Sequence, residues 1–173
     1  MYQVGEKVIY SNYGICSIIS VISENFTGEP REYYVLKPSA DCRSTIFVPC
    51  GSHLLPGISM RPLLSPGQAA LLLSSAPRTE FPWIRRSQER RSMYQRILAS
   101  ADCKKLMILY RTLWQKQEEL SRQRKKLSLT DEQFLCSAGR LLAQELSEVL
   151  CRTPADIFSL LSKYAASAPS GSV

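Results

Sequence analysis

The hydrophobic pattern of the first 62 residues is typical of short β-strands. Runs rich in β-branched and aromatic residues recur about every 12 residues, with turn-forming residues between them. The runs cover residues 7–10, 15–22, 32–36 and 44–49, with a short fifth run at 59–62. Pro49 ends the fourth run, because proline has no N–H to donate to a neighbouring strand. Strands spaced this closely predict a small, strongly bent sheet or partial barrel.

From Ser65 onward the apolar residues recur with a helical period. Ser65 precedes a proline at the first helical position, which predicts the start of a first helix. A second helix is predicted from Trp83 or Ile84 to about Ala99. Asp102 caps a third helix, whose predicted buried stripe is Leu106, Leu109, Tyr110, Leu113 and Trp114.

The last third of the chain predicts two further helices. Residues 130–133 (TDEQ) have the pattern of a capping box and open a fourth helix, while the polar residues 115–126 before it are expected to fray. Thr153 and Pro154 cap a last helix that runs to about Tyr164. The predicted stripe of the fourth helix is Phe134, Ala138, Leu141, Leu142, Glu145 and Val149.

The predicted fold class is therefore α+β with two modules. A small bent β-sheet or partial barrel in residues 1–64 is followed by an all-α bundle of about five helices in residues 65–165. Residues 166–173 are predicted to be a loose tail. The boundary between the modules lies between Arg61 and Pro66.

Basic residues are concentrated in one part of the chain. The 173 residues carry 22 Lys and Arg against 15 Asp and Glu, a formal net charge of +7. Residues 78–126 hold fourteen basic and five acidic side chains, whereas residues 1–65 are balanced. Such a block favours a surface that faces a polyanion, most often nucleic acid. The alternative is a set of solvated helix faces with a basic excess.

The sequence offers little support for an enzyme. It contains no phosphate-binding loop, dinucleotide fingerprint or hydrolase motif, and none of its six cysteines has the spacing of a metal-ligand pair. We interpret the cysteines as reduced, small core residues. Cys50 and the single histidine, His53, suggest a thiol nucleophile only weakly, because no carboxylate lies nearby to orient the ring. We therefore predict no catalytic residue, metal, cofactor or small-molecule substrate.

Three segments of the β-rich half follow known patterns. Residues 4–14 (VGEKVIYSNYG), 32–36 (EYYVL) and 46–49 (IFVP) are similar to V-G-D-x-V-V-Y-P-x-H-G, Y-x-V-L and V-P. These are patterns of the CarD family of bacterial transcription regulators, which the chain resembles. Further similarities occur in the helical half, in the order expected of the family: residues 76–79 (APRT), 82–86 (PWIRR), 111–114 (RTLW), 127–128 (LS) and 143–146 (AQEL). The resemblance covers about residues 2–150.

The resemblance implies a function in transcription. The N-terminal module would be a Tudor-like domain that binds the RNA polymerase β subunit, as in transcription-repair coupling factor. The helical domain would contact promoter DNA, largely independently of sequence, at the upstream edge of the melted bubble and so shift the stability of the open complex. Such a protein has no enzymatic activity. It is expected in the bacterial cytoplasm, associated with the nucleoid through RNA polymerase and without a membrane contact.

Four positions depart from the family pattern. Ser11 stands where the family usually has proline, and Tyr13 replaces the common histidine. Glu24 and Phe47 occupy positions where some relatives carry arginine directed at the polymerase. A β-module with an unpaired edge extends a partner's sheet through main-chain hydrogen bonds, which tolerates such departures.

Two sets of residues are predicted to carry the contacts. Phe26, Ile46 and Phe47 are assigned to the polymerase; Phe26 is either an exposed apolar anchor or a plug for the barrel end. The DNA contact is assigned to Trp83, which aligns with the DNA-wedging tryptophan of the family and would act as a wedge here. It is also assigned to the arginines that follow Trp83. These are Arg85, Arg86, Arg90 and Arg91.

The alternatives concern the tryptophans and the partner. From the residues alone, Trp83 is either the wedge or a core residue at a module interface, whereas Trp114 is assigned to the core. The alternative function is an RNA- or ribosome-binding module with an SH3-like barrel and basic helices. That module would prefer folded RNA to forked DNA.

Overall fold

The structure, a computed structural model, describes residues 2–26, 28–41, 43–51, 59–74 and 79–167. The chain divides into two compact units. The first, here the sheet unit, comprises residues 1–63 with residues 99–101. The second, here the helical unit, comprises residues 64–98 and 102–173.

The sheet unit is built on five antiparallel strands in the order β4-β3-β2-β1-β5. These strands agree closely with the five β-rich runs, and the five-stranded sheet followed by helices confirms the α+β class. Strand β2 continues two residues beyond the predicted end at Ile22, and β4 begins two residues after the predicted start. The strands are β1 Lys7–Tyr10, β2 Gly14–Glu24, β3 Arg31–Pro38, β4 Ile46–Pro49 and β5 Met60–Pro62.

The first hairpin turns through a short 3-10 segment. This segment spans Ser11–Tyr13 and joins β1 to β2, with Tyr10 paired to Gly14 across the turn. Gly14 has a φ of 75° and a ψ of −135°, a conformation that strongly favours a residue without Cβ. The glycine therefore sets the register of the β1–β2 pair.

The two faces of the sheet are both apolar, but one is more fully buried. Alternate residues of neighbouring strands form the main core of the unit, because successive side chains of a strand point to opposite faces. This core consists of Val8, Cys16, Ile18, Tyr34, Leu36 and Val48, all at most 3% exposed. On the other face, Val35 pairs with Phe47, whose side chain is 46% exposed.

Five helices follow within the described residues. They are α1 Pro66–Ser74, α2 Ser87–Ser100, α3 Cys103–Arg122, α4 Leu129–Leu150 and α5 Pro154–Ala166. The Oγ of Ser65 accepts the Gln68 amide, Asp102 caps α3, and Thr153 forms a capping box with Asp156, all from short-range signals that the sequence contains.

Three helix boundaries differ from the predictions. Helix α2 begins at Ser87 rather than near Trp83, and α3 continues to Arg122 where fraying was expected. Helix α4 is capped by Ser128, whose hydroxyl accepts the Asp131 amide, so its capping residue lies two positions before Thr130. Polar residues at the end of α3 are good helix formers, which explains its length.

The core of the helical unit is made by the predicted stripes. Leu106, Leu109, Tyr110 and Leu113 of α3 are buried, as are all predicted stripe residues of α4 except the partly buried Val149. Trp114 is half-buried and packs against this core rather than lying inside it, which corrects its assignment to the core.

The cysteines divide between core and surface, except Cys42, which lies outside the described residues. Cys16 and Cys103 are buried as interpreted, and Cys50 is partly buried. Cys136 and Cys151 are exposed, so the interpretation as core residues is wrong for these two. His53 and residues 168–173 of the predicted tail lie outside the described residues. Ser167, just after α5, is ordered by a hydrogen bond that its carbonyl accepts from Arg111.

Candidate functional site

Phe26 and Phe47 form an exposed aromatic cluster on the sheet unit. Their ring centroids lie 5.5 Å apart, and the ring of Phe26 meets that of Tyr33 edge-on at 5.0 Å. Phe26 is 57% exposed and Phe47 46%, whereas Tyr33 is buried beneath them. We call Phe26, Tyr33 and Phe47 the aromatic patch. Its exposure argues against the interpretation of Phe26 as a plug inside the barrel.

The patch lies at an edge of the sheet, because β4 is the last strand on that side within the described residues. The Cys50 amide donates to the Glu32 carbonyl of β3. Since backbone groups alternate in direction along an antiparallel strand, the amide and carbonyl of Phe47 point away from β3. The edge therefore presents an aromatic side chain and outward main-chain groups at the same residue.

Ile46 does not join the patch. It precedes Phe47 and so points to the opposite face, where it packs against the main core of the sheet unit. Its side chain is therefore separated from Phe26 and Phe47, which corrects the grouping of these three side chains. By the same alternation, the amide and carbonyl of Ile46 point towards β3, so its main chain does not add to the outward edge either.

Trp83 lies in an irregular segment before α2. This segment, residues 79–86, is here called the Trp83 loop. The indole is half-buried and packs against the core of the helical unit, with the guanidinium carbon of Arg90 4.5 Å and the Lys116 nitrogen 5.3 Å from the ring centroid. Such cations over an aromatic ring attract it electrostatically and restrict its orientation.

A groove of about 570 Å³ opens beside the indole. Trp83 lines it together with apolar residues, Lys116 and two glutamates, Glu80 and Glu119. The Lys116 nitrogen lies 2.7 Å from a Glu119 oxygen, and a Glu80 oxygen lies 3.8 Å from Nε of the buried Arg111, so each glutamate of the groove faces a cation. Because Lys116 is already paired inside the groove, a phosphate contact has to come from the arginines around the Trp83 loop.

Arg90 is not a surface arginine. It is 7% exposed, and its Nε and Nη2 each donate to an oxygen of Asp131 at 2.8 Å. Its Nη1 donates to the Ile84 carbonyl at 2.6 Å and to the Arg85 carbonyl at 3.3 Å. With every donor nitrogen engaged inside the protein, Arg90 cannot also contact a phosphate. This corrects its assignment to the DNA-binding set.

The ion pair determines the protonation of both groups. Hydrogen bonding to Asp131 raises the pKa of Arg90 against the effect of burial. Burial alone would raise the pKa of Asp131, but the hydrogen bonds from Arg90 and Ser128 outweigh it and hold that pKa below its usual value. The pair is therefore fully charged at neutral pH.

The remaining predicted arginines are exposed. Arg85 and Arg86 end the Trp83 loop, and Arg91 lies on the first turns of α2. Arg86 donates to Glu89 at 3.0 Å, but both side chains are well solvated and such a pair contributes little. The structure thus brings Trp83, Arg85 and Arg86 together on one short segment.

Asp131, Ser128 and Lys116 are site residues that the sequence analysis missed. Asp131 is 41 positions from Arg90, so no local pattern links the two. Lys116 sits in the polar end of α3, where fraying was expected. The one available signal was the acidic first turn of α4, which was interpreted as helix capping alone.

Two observations in the described residues concern enzyme and metal chemistry. Burial raises the pKa of the Cys50 thiol, which disfavours the reactive thiolate. No group of metal-ligating side chains occurs among the residues that the structure describes. In the same part of the chain, no helix has both the length and the apolar character needed to cross a membrane.

Comparison with known proteins gives one family match. Residues 2–62 match the CarD-like/TRCF RID domain, the RNA polymerase-interacting domain of these proteins. The matched segment contains all five strands and the aromatic patch. It confirms the resemblance for the sheet unit, while the resemblance of the helical half stays a prediction. Among curated proteins, no match to the chain is found.

Proposed function

We propose, from the premise that residues 2–62 form a CarD-like/TRCF RID domain, that this protein regulates bacterial transcription through two contacts. The sheet unit binds the β subunit of RNA polymerase. The helical unit touches promoter DNA at the upstream edge of the bubble and changes the lifetime of the open complex. A protein with these two contacts is expected in the cytoplasm, at the nucleoid. The match over the whole sheet is the observation that carries this proposal.

The aromatic patch and the β4 edge supply the polymerase contact. An outward strand edge adds a partner strand through main-chain hydrogen bonds, and side-chain pockets beside the edge give specificity. Phe47 offers both, because its backbone faces outward and its ring contacts Phe26. Exposed aromatics that are fully desolvated on binding are typical hot spots of interfaces.

The Trp83 loop supplies the DNA contact. Exposed arginines neutralise phosphates without reading sequence, and a nearby apolar ring suits a wedge at a base step. Arg85, Arg86 and Arg91 are the exposed arginines that support this role, while Arg90 serves the interior. The basic excess of residues 78–126 adds a general attraction to DNA.

The polymerase contact is tested by substitutions in the patch. Phe26→Ser and Phe47→Ser are each expected to weaken binding of the full chain to the polymerase β subunit by about 10-fold or more, because hot-spot truncations cost roughly 2 kcal/mol. Val21→Ser is the matched control: Val21 is 41% exposed on β2 but pairs with Tyr34, on the other face. Equal losses in all three variants, or none in the two phenylalanine variants, would remove the patch from the interface.

The DNA contact is tested on a forked duplex and on open complexes. Affinity of the wild-type chain for a forked duplex is expected to fall steeply with salt, and Trp83→Ala is expected to abolish most of the effect on open-complex lifetime. The same assay with a folded RNA of equal length provides the comparison. A clear preference for the RNA, with no change in open-complex lifetime, would favour the RNA-binding alternative instead.

A further inference from the structure

The Trp83 loop is held by the interior of the helical unit on both sides of the indole. Before it, the Phe81 amide donates to the Thr112 hydroxyl at 2.9 Å. After it, the Ile84 and Arg85 carbonyls accept from Arg90. This irregular backbone is thereby anchored at Phe81 and again three and four residues later, which restricts its motion.

The second anchor depends on a buried charge pair. Arg90 reaches the loop carbonyls with one nitrogen while its other two donor nitrogens are bound by Asp131. Asp131 in turn accepts a hydrogen bond from the Ser128 hydroxyl at 2.7 Å, at the start of α4. We call Arg90, Asp131 and Ser128 the clamp. Its geometry is bidentate and therefore fixes the plane of the guanidinium that lies over the indole.

Stability alone does not explain why the Arg90–Asp131 pair is buried. A buried ion pair is often no more stabilising than apolar residues of the same volume, because both charges lose their hydration. What such a pair does provide is a single orientation of the groups it binds. Here those groups are the carbonyls of Ile84 and Arg85 and the ring of Trp83.

We propose that Arg90 and Asp131 are positioning residues for DNA: they fix the Trp83 loop so that Trp83, Arg85 and Arg86 meet the duplex together. This inference rests on the proposed DNA contact. Preorganised groups bind with a smaller entropic cost, and loss of the clamp lets the loop adopt other conformations. Its loss therefore weakens DNA binding through residues that are themselves unchanged.

The first experiment measures the loop without DNA. In a Trp114→Phe background, Trp83 is the single tryptophan, and acrylamide quenching of its fluorescence reports its accessibility. Asp131→Asn and Arg90→Lys are both expected to raise the quenching constant about two-fold while the chain stays folded. Arg90→Lys keeps the charge but cannot bind Asp131 and the loop carbonyls at once. Ile157→Val, in the α5 core, serves as a mildly destabilised control that leaves quenching unchanged.

The second experiment measures binding of the full chain to a forked duplex over a salt series. Each phosphate contact contributes about 0.9 to the slope of log affinity against log salt. A variant with both Arg85→Gln and Arg86→Gln is the reference for the loss of two phosphate contacts, and its slope is expected to be lower by about 2. The clamp variants are expected to approach that slope and to bind about 10-fold more weakly at fixed salt. Ile157→Val is expected to keep the wild-type slope, because partial unfolding changes the active fraction alone.

The outcomes separate the inference from the proposed function. If the wild-type chain binds DNA with a steep slope, and the clamp variants keep both that slope and the wild-type quenching, the positioning role is wrong and the function stands. Raised quenching with an unchanged slope shows that the loop moves without consequence for DNA and also overturns the role. If the wild-type chain shows no salt-dependent binding, the proposed DNA contact fails whatever the quenching shows.

Discussion

The sheet unit and the helical unit differ in which residues depart from the usual rule of apolar residues inside and charged residues outside. In the sheet unit, the unusual feature is apolar: two phenylalanines lie on the surface over a buried tyrosine, although the main core is on the other face. In the helical unit, the unusual feature is that some arginines are buried while others are exposed. Arg90 and Arg111 are buried, whereas Arg85, Arg86 and Arg91 are exposed.

The two units differ in how far residue type alone indicates an interaction surface. An exposed aromatic pair has no evident role inside its own unit, so it points to a partner. An arginine in a basic segment does not, because the same residue type lies in solvent at some positions and binds carbonyls inside the protein at others. A count of charges therefore overestimates the exposed basic surface, and only burial and hydrogen bonding separate the two uses.

The largest expected effect separates two arginines that are neighbours in the chain. Arg90→Met is expected to lower the free energy of unfolding by about 3 to 5 kcal/mol, because it leaves Asp131 charged and buried without its partner. Arg91→Met, the identical change at an exposed position, is expected to stay within about 0.5 kcal/mol. Thermal melting shows the contrast as a fall in Tm of roughly 10 °C or more against almost none. Equal Tm values for the two variants would contradict the division of charge.

The next effect concerns the two tryptophans. Both are half-buried against the same core, so Trp83→Ala and Trp114→Ala are each expected to cost about 1 to 3 kcal/mol, less than a fully buried Trp→Ala change. This revises the simple contrast of an exposed wedge and a core residue. Only Trp83→Ala is expected to reduce binding to a forked duplex as well. Urea titrations give the stability, and a binding isotherm on the same preparations gives the affinity; equal binding losses would assign both effects to folding.

Acid is expected to weaken the helical unit through Asp131. Because the pKa of Asp131 is lowered in the folded state, its contribution is present above the unfolded pKa and is lost as pH falls through the folded value. The stability difference between wild type and Asp131→Asn is therefore expected to be constant from neutral pH to about pH 5 and to shrink below about pH 4. Urea unfolding at stepped pH measures it. A difference that instead grew with acid would contradict the lowered pKa.

The smallest effect is chemical rather than energetic. Burial raises the pKa of the Cys16 thiol to about 11, whereas Cys136 and Cys151 are exposed on the helical unit. Iodoacetamide at neutral pH is expected to label Cys136 and Cys151 first and Cys16 last, since the thiolate is the reactive form. Peptide mass spectrometry over a time course gives the order. Early labelling of Cys16 would show that the sheet unit opens more readily than its core implies.

The fold was predictable where its signals are local. Pro49 ends β4, Asp102 caps α3 and Thr153 caps α5, and each acts through residues within a few positions in the chain. The opposite directions of Ile46 and Phe47 also followed from strand alternation, although the sequence analysis grouped them. The match over residues 2–62 confirms the resemblance for the sheet unit.

The start of α2 and the burial of Arg90 were not predictable in that way. The burial of Arg90 goes with its ion pair to Asp131, which is 41 positions away in sequence and meets Arg90 only once α2 and α4 are packed. The PWIRR segment resembles a helix start because its residue types permit one. Its Ile84 and Arg85 carbonyls are instead engaged by the side chain of Arg90, only the Arg86 carbonyl accepts a backbone amide of α2, and the helix begins at Ser87.

Arg111 bears on where the folded helical unit ends. This guanidinium is fully buried, and it donates to the Tyr164 carbonyl at 2.8 Å and to the Ser167 carbonyl at 2.6 Å, with a Glu80 oxygen 3.8 Å from its Nε. A chain shortened to residue 163 would retain the buried Arg111 charge but lose both carbonyls that accept its hydrogen bonds. The last turn of α5 therefore helps to stabilise this charge. A chain that ends at residue 163 is therefore expected to unfold at a lower temperature than one that ends at Ser167, because the first leaves the buried guanidinium without these two acceptors.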